Sequence, residues 1–295
     1  MMISKNSMTT IDKNQVKQVI EQAYPFTVDK FPLSGPDGMR TDIYAYFRSD
    51  NGEMVGNKSV KKRHTPHTVQ HISDVCQAAS HAFGDRVNIK TDFHHGHIVT
   101  ITPEMAEMKR LNEAEQLCPI MMLRASFDGK ALLTNLGLWN PVCKNQELFE
   151  SVKECKATIR HTSNIDFKME NLIRKLSALR QSWCTLDSMI DHMNGQTTHI
   201  DDFIAELFPK KDSKKGETMF NNRKSGIRAR IEREQRLTGE GNGLNPTYAT
   251  NWRIYNAIQG YFQHDSSRNG STTDIERILS SNSGDTVKAF NLLSV

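Results

Sequence analysis

The stretch Pro119–Thr162, PIMMLRASFDGKALLTNLGLWNPVCKNQELFESVKECKATIRHT, decides how the fold is read. Its apolar run Ile120–Ala125 and a second run, Ala131–Trp139, have strand character, and Asp128-Gly129 between them is a hairpin turn signal. Asn140-Pro141 breaks the second strand. The polar cluster Val142 to Gln146 then leads into a short helical segment, about Glu147 to Cys155, and on to Ile159-Arg160-His161-Thr162. Two strands thus deliver a Cys-Lys-Asn turn and an Arg-His-Thr turn. Polar groups this dense between buried elements are either a binding surface or the loop chemistry that caps neighbouring elements. Cys143 is equally readable as a small buried hydrophobe.

Upstream of this block the pattern is also one of hairpins. Gln15–Tyr24 has a weak helical pattern, and Pro25, Pro32 and Pro36 punctuate a loop. Ile43–Phe47 reads as an aromatic-rich strand, Asp50-Asn51-Gly52 as a hairpin turn and Met54–Val60 as the return strand. Val69, Ile72, Val75, Cys76, Ala79 and Phe83 follow helical spacing, with Thr65 or Thr68 as cap and Gly84 as the stop. Val87–Phe93 and Ile98–Ile101 form another hairpin around His94, His95, Gly96 and His97. Glu104–Gln116 is charged and helix-prone.

Downstream the pattern changes. Met169, Leu172, Leu176, Leu179, Trp183, Leu186, Ile190 and Met193 step by three and four, a heptad-like stripe expected on one long helix that ends at Asn194-Gly195. Asp201–Phe208 is a short helix. Ser213–Glu217 reads as flexible and Ser225–Leu237 as a basic helix. Gly239–Pro246 (GEGNGLNP) lacks the features of a phosphate-binding loop and is read as a connector. Thr250–His264 is an aromatic helix, Thr272–Leu279 another short one, and Gly284–Leu293 the last. The expectation is therefore an α+β fold: N-terminal antiparallel hairpins with one main helix, then a helical C-terminal region. The expected domains are an arm and loop at 1–40, an α+β core at 41–195 and a helical, basic region at 196–295.

At 295 residues with 37% apolar content and a net charge of +4, the chain has a core and is only mildly basic overall. The charge is concentrated. Between Pro209 and Arg236 ten Lys or Arg stand against four Asp or Glu, a net of +6, which leaves the rest of the chain at −2. A concentrated positive segment suits a polyanion, and a solvated lysine-rich linker is its bland alternative. The five cysteines are odd in number and widely spaced, as in reduced cytosolic thiols. The start lacks an apolar signal core, and no run approaches the roughly 18 apolar residues of a membrane span. The protein is expected in the cytoplasm, away from membranes.

Six short segments, in this order, resemble one family. They are Phe47-Arg48-Ser49-Asp50-Asn51-Gly52-Glu53, Ser126-Phe127-Asp128-Gly129, Pro141-Val142-Cys143-Lys144-Asn145, Ile159-Arg160-His161-Thr162, Thr250-Asn251-Trp252 through Asn256-Ala257, and Gly284–Ala289. The likeness is to an uncharacterised phage- and plasmid-like protein family, catalogued as a domain of unknown function, and covers most of Tyr46–Leu293. Lys61–His64 departs from it, where a tyrosine-containing strand end is expected. The resemblance implies a mobile element in a bacterial host cell and carries no activity. The layout of a hairpin, a helix ending in Ala82-Phe83-Gly84 and then consecutive strands is more loosely similar to phage single-strand-annealing recombinases of the ERF and Red-beta type. A likeness of layout does not by itself assign function.

Three functional readings follow. The first is a single-stranded-DNA binding and annealing protein acting in recombination or replication, which needs no nucleophile and no cofactor. Lys58, Lys61, Lys62, Arg63, Lys144, Asn145, Arg160 and His161 are its candidate contacts, with Arg223, Lys224, Arg228 and Arg230 as a second basic patch. Tyr44, Tyr46 and Phe47 are candidates for base stacking, or else core. By likeness to annealing proteins, a homo-oligomeric ring or filament is expected. The second reading is a metal-dependent enzyme using His94, His95, His97, Cys143, Cys155 and His161. These lack the short spacings of zinc ligands, so no metal and no catalytic residue is assigned. The third is a non-enzymatic interaction protein, for instance an inhibitor of host defence with a host or phage protein partner.

Overall fold

The computed structural model describes residues 9–93, 96–104, 109–110, 116–140, 145–148, 156–176, 179–237, 247–265 and 284–295. The described elements run as follows: β1 (Thr9–Asp12), α1 (Val16–Ala23), β2 (Val28–Ser34), β3 (Arg40–Arg48), β4 (Met54–Lys61), α2 (Val69–Ser80), β5 (Arg86–Phe93) and β6 (Gly96–Pro103). Then come β7 (Lys109–Arg110), β8 (Gln116–Ser126), β9 (Leu132–Asn140), β10 (Asn145–Leu148), β11 (Lys156–Ile159), α3 (Ile165–Leu176) and α4 (Leu179–Gly195). The chain continues with β12 (Thr197–His199), α5 (Ile200–Leu207), α6 (Lys214–Leu237), β13 (Tyr248–Thr250), α7 (Asn251–Gly260) and α8 (Asp285–Leu293). Strands dominate early and helices late, so the α+β class expected from the sequence is the one observed. No described helix is long and apolar enough to cross a membrane.

The chain divides into two compact units that interleave in sequence. The first comprises residues 1–107, 119–136 and 154–181; the second comprises 108–118, 137–153 and 182–295. Strands β8 and β9 contribute residues to both.

In the first unit, the antiparallel order β1-β5-β6-β8-β9 carries β11 on β9. Register puts Val87, Ile89 and Phe93 of β5, His97, Val99 and Ile101 of β6, and Met121, Leu123 and Ala125 of β8 on one face. Helices α1 and α2 pack there, through Val16 and Ile20, and through Ile72, Val75, Cys76 and Ala79, all buried. Gly96 is required at the start of β6, because a methyl there would lie 2.1 Å from the Ala125 carbonyl oxygen. Thr68 caps α2: its hydroxyl accepts from the His71 N–H and its own N–H donates to His71 Nδ1, 3.2 Å in each case.

A separate antiparallel sheet, β2-β3-β4, belongs to the same unit. Its inner face packs Tyr46, Val55 and Val60 on Phe127. Pro32, expected in a loop, lies in β2 beside a register irregularity. An edge strand tolerates it there, since no ladder N–H is needed on the open side.

The second unit is built around α7, every residue of which is buried, Trp252 and Tyr255 among them. Thr250 caps α7 by accepting from the Arg253 N–H at 3.2 Å. Phe290 and Leu293 of α8, Phe203 and Ile204 of α5, and Ile227 and Ile231 of α6 complete its core.

Four expectations are corrected. The stripe Met169–Met193 is carried by two helices, with Met169, Leu172 and Leu176 buried on α3 and Leu186, Ile190 and Met193 on α4. Ser213–Glu217, read as flexible, runs into the first turn of α6, where the Ser213 hydroxyl accepts from the Gly216 N–H at 3.0 Å. Glu147 and Leu148, read as the start of a helix, belong to β10, antiparallel to β9. Lys109 and Arg110, read as helical, form β7 against β8. The expected loop at Gly239–Pro246 and helix at Thr272–Leu279 lie outside the described residues.

Candidate functional site

The outer face of β2-β3-β4 is the first feature with binding character. Register places Asp29, Phe47 and Met54 in one row across it, Phe31 beside Ala45 in the next, and Ile43 beside Lys61 in the last. Phe31, Ile43 and Met54 are 52%, 47% and 55% exposed. The rings of Phe31 and Phe47 meet edge to face with centroids 5.8 Å apart. Lys58, Lys61, Lys62 and Arg63 are all exposed on β4 and the turn after it. That turn is pinned from below: the Lys30 ammonium donates to the carbonyls of Lys62 at 2.6 Å and His64 at 2.8 Å. Lys61 therefore shares the open face with the aromatic rings, and Lys62 and Arg63 follow it in the turn. Of the three candidate stacking residues only Phe47 lies on it; Tyr44 and Tyr46 point into the core with Val60 and Val55.

The other predicted contacts scatter. Arg160 is exposed, but His161 beside it is buried. Lys144 lies outside the described residues, and Asn145 opens β10 opposite Asn140. On α6, Lys224 and Arg228 both pair with Asp201, the former at 2.9 Å. Arg223 lies over the Phe208 ring at 4.9 Å and 4.0 Å from Asp285. Arg230 is buried against Glu234 at 2.7 Å, and Asn256 donates to the same carboxylate at 2.8 Å. Arg230 and His161 are thus corrected from surface contacts to interior groups. Arg230 finds Glu234 one turn along its own helix, whereas the rings around His161 come from distant segments.

The second feature was not assigned from sequence. Four histidines gather in the first unit beneath Phe127. His97 of β6 and His67, in the loop before α2, are 1% and 2% exposed, and His161, just after β11, is 6% exposed. His64 is half-buried. His67 Nε2 and His97 Nδ1 are 2.9 Å apart, and His64 Nδ1 is 2.7 Å from the Tyr46 hydroxyl. Ring centroids lie 4.8 Å apart for His64–His161, 5.1 Å for His67–His161 and 5.0 Å for His67–His97. His67 also stacks on Phe127 at 4.4 Å. His64 Nε2, His67 Nδ1 and His97 Nε2 are buried with no hydrogen-bond partner.

Burial governs the electrostatics. It pushes His97 down to about 3. Burial and the neighbouring His64 push His161 down to about 4. Burial and the surrounding imidazoles hold His67 well below the ordinary range, and burial and the Lys30 ammonium lower His64. All four rings are neutral near pH 7, so each keeps a lone pair. Asp128 lies close enough to favour charge on His64 and His161. Burial opposes ionisation of Asp128, but the Ser126 hydroxyl and Lys130 outweigh it and hold its carboxyl low.

A cleft of about 600 Å³ opens beside this cluster, with His67, His97 and Phe127 in its wall and Glu21, Tyr24 and Phe26 around it. Among the described residues, no group of three or more His, Cys, Asp or Glu side chains could hold a metal ion. Of the histidines considered above as ligands, His94 and His95 lie outside the described residues, and His97 is interior instead of lying on a solvent-exposed hairpin tip. The readable signal was His64-Thr65-Pro66-His67, a short His-x-x-His spacing; its far partner His161 has no local signature.

Fold and site define an α+β protein with a cation-edged aromatic sheet face and a buried histidine nest. A family model described as "Domain of unknown function (DUF932)" matches residues 57–282, and the chain belongs to that family. No curated protein and no solved structure matches it. The family agrees with the domain-of-unknown-function membership expected from the sequence motifs.

Proposed function

We propose that this chain binds single-stranded nucleic acid on the outer face of β2-β3-β4, as an annealing protein of a phage or plasmid acting in recombination or replication. The observation that carries this is the open sheet face on which Phe31, Phe47 and Lys61 lie together, with Lys62 and Arg63 exposed in the turn that follows and Lys58 exposed on β4. Sequence-tolerant strand binding needs those two ingredients: ring faces on which bases stack and cations that follow the phosphates. Annealing asks for no nucleophile and no bond cleavage. The likeness of layout to ERF and Red-beta type recombinases points the same way, and with it to a homo-oligomer in the bacterial cytoplasm. The α6 cations contribute less, because Lys224 and Arg228 are already paired with Asp201.

A second reading is favoured by Ile43 and Met54 on this face, which leave much apolar surface exposed. On it, the same face docks a host or phage protein. The two readings separate on charge. Replacing Lys61, Lys62 and Arg63 together by Ala should weaken binding to a fluorescent single-stranded oligonucleotide. It should also flatten the dependence of log K on log salt by about 0.7 for each phosphate that is no longer neutralised. Unchanged affinity and slope would remove the turn from the interface; no affinity for nucleic acid even at low salt would favour the partner protein.

A further inference from the structure

We propose that the turn Lys61–His64 is a phosphate-binding nest: the main-chain N–H groups of Lys62 and Arg63 hold one phosphodiester of the bound strand, and Lys30 positions them from beneath the sheet. The proposal rests on the strand-binding reading and deepens it, and every residue it uses belongs to the first unit.

Strand alternation sets the geometry. Along β2, Phe31 faces out, so its neighbour Lys30 faces in. Register sets Lys30 opposite Tyr46, whose side chain lies in the core. The Lys30 side chain therefore runs along the inner face under the middle strand β3, with its ammonium 4.8 Å from the centre of the Tyr44 ring. At the end of β4 it donates to three carbonyls, those of Lys62 at 2.6 Å, His64 at 2.8 Å and Lys61 at 3.3 Å. An ammonium has three N–H donors, so these acceptors occupy it fully.

Those carbonyls fix where the amides point. A trans peptide is planar, with its C=O and N–H directed to opposite sides. The carbonyls of Lys61 and Lys62 are turned down onto Lys30, so the N–H groups of Lys62 and Arg63 are turned away from it, on the exposed side of the turn. Neither N–H has a hydrogen-bond partner among the described residues. The His64 N–H donates to the Lys61 carbonyl at 3.0 Å, which makes the segment a β-turn with the Lys62–Arg63 peptide at its centre. The two common turn types differ by a flip of that central peptide. The shortest of the Lys30 contacts is to its carbonyl. Flipped, the turn presents a carbonyl oxygen to an approaching phosphate. Held by Lys30, it presents two successive N–H groups, an anion-receptive arrangement.

Charge and placement agree. The side chains of Lys61, Lys62 and Arg63 are exposed and make no ion pair among the described residues, unlike Lys224 and Arg228 on α6. Lys61 shares the outer face with Phe31 and Phe47, so a phosphate held at the turn borders the rings that stack the bases. Lys30 is half-buried with its donors spent on carbonyls, and so acts through the turn without touching the phosphate.

The test uses the isotope-labelled full chain, titrated with inorganic tripolyphosphate and, separately, with an oligothymidylate. Amide shifts are read by NMR, and strand affinity by fluorescence at two salt concentrations. The expected result is that the Lys62 and Arg63 amide protons make the largest downfield shifts with both probes. Lys30→Met keeps the aliphatic stem over Tyr44 and removes the ammonium. It should abolish those two shifts and lower strand affinity about tenfold, the worth of one hydrogen bond to a charged group. The slope of log K on log salt should change by less than the roughly 0.7 of a lost phosphate contact, because Lys30 neutralises none. Unmoved Lys62 and Arg63 amides in the wild type with both probes would overturn the nest, and that measurement needs no variant to fold. Shifts retained in Lys30→Met, or a slope that falls by about 0.7 or more, would overturn the role of Lys30. Tripolyphosphate shifts without any strand binding would support the nest and remove the strand as its ligand, and with it the strand-binding reading.

Discussion

Gly56 decides how close the outer sheet comes to the histidine nest. It holds φ at +83°, and a methyl there would lie 3.2 Å from the Phe127 carbonyl. Phe127 in turn packs on Tyr46 at 5.4 Å and on His67 at 4.4 Å. Gly56→Ala should therefore destabilise the chain by about 1–3 kcal/mol, from backbone strain and a displaced Phe127, read as a lower urea midpoint. The histidines add a pH dependence whose sign is fixed by the direction of their shifts. His97 and His161 titrate near 3 and 4 in the folded chain and near 6.5 when unfolded. Between those values the unfolded state binds more protons, so stability is complete above about pH 6.5 and falls as pH drops toward the folded values, by up to about 1.4 kcal/mol per unit for each ring. Urea titrations at about pH 7 and pH 5 should show this slope, and His97→Gln should flatten it. At this scale the sequence was legible where a residue acts locally, as with the Thr68 cap or Asp128-Gly129. It was silent where partners come from distant strands, and His97 was misread as a tip residue for that reason.

Among the elements, β3 shows why a strand can be recognised while its function is missed. Ile43–Phe47 is apolar on both faces, so alternation alone does not say which side is covered. Packing against Phe127 turns Tyr44 and Tyr46 inward and leaves Ile43 and Phe47 outside. Replacing Phe31 and Phe47 together by Ala should weaken single-strand binding at least about fivefold, given about 1–3 kcal/mol for each stacked base. The urea midpoint should move little, since Phe31 is half exposed. Helix α6 makes the opposite case. Its basic character was plain in the sequence, but its cations are neutralised by Glu232 and Glu234 of the helix itself, by Asp201 of α5 and by Asp265 beyond α7. Arg230→Ala should cost about 3–5 kcal/mol by leaving Glu234 buried without its cation, with no change in strand affinity per folded molecule. A loss of affinity at unchanged stability would restore α6 to the interface.

For the whole molecule, the α+β class was legible because hairpin signals cluster early and helical spacing late. The interleaving of the two units was not, because β8 and β9 each feed both, and no composition change marks the points where they do so. The strand-binding face is the central claim. An equilibrium titration of the wild-type chain with matched single- and double-stranded fluorescent oligonucleotides, at two salt concentrations, tests it most directly. Tight binding that prefers the single strand and weakens as salt rises is the predicted result; no binding to either form at low salt would contradict it.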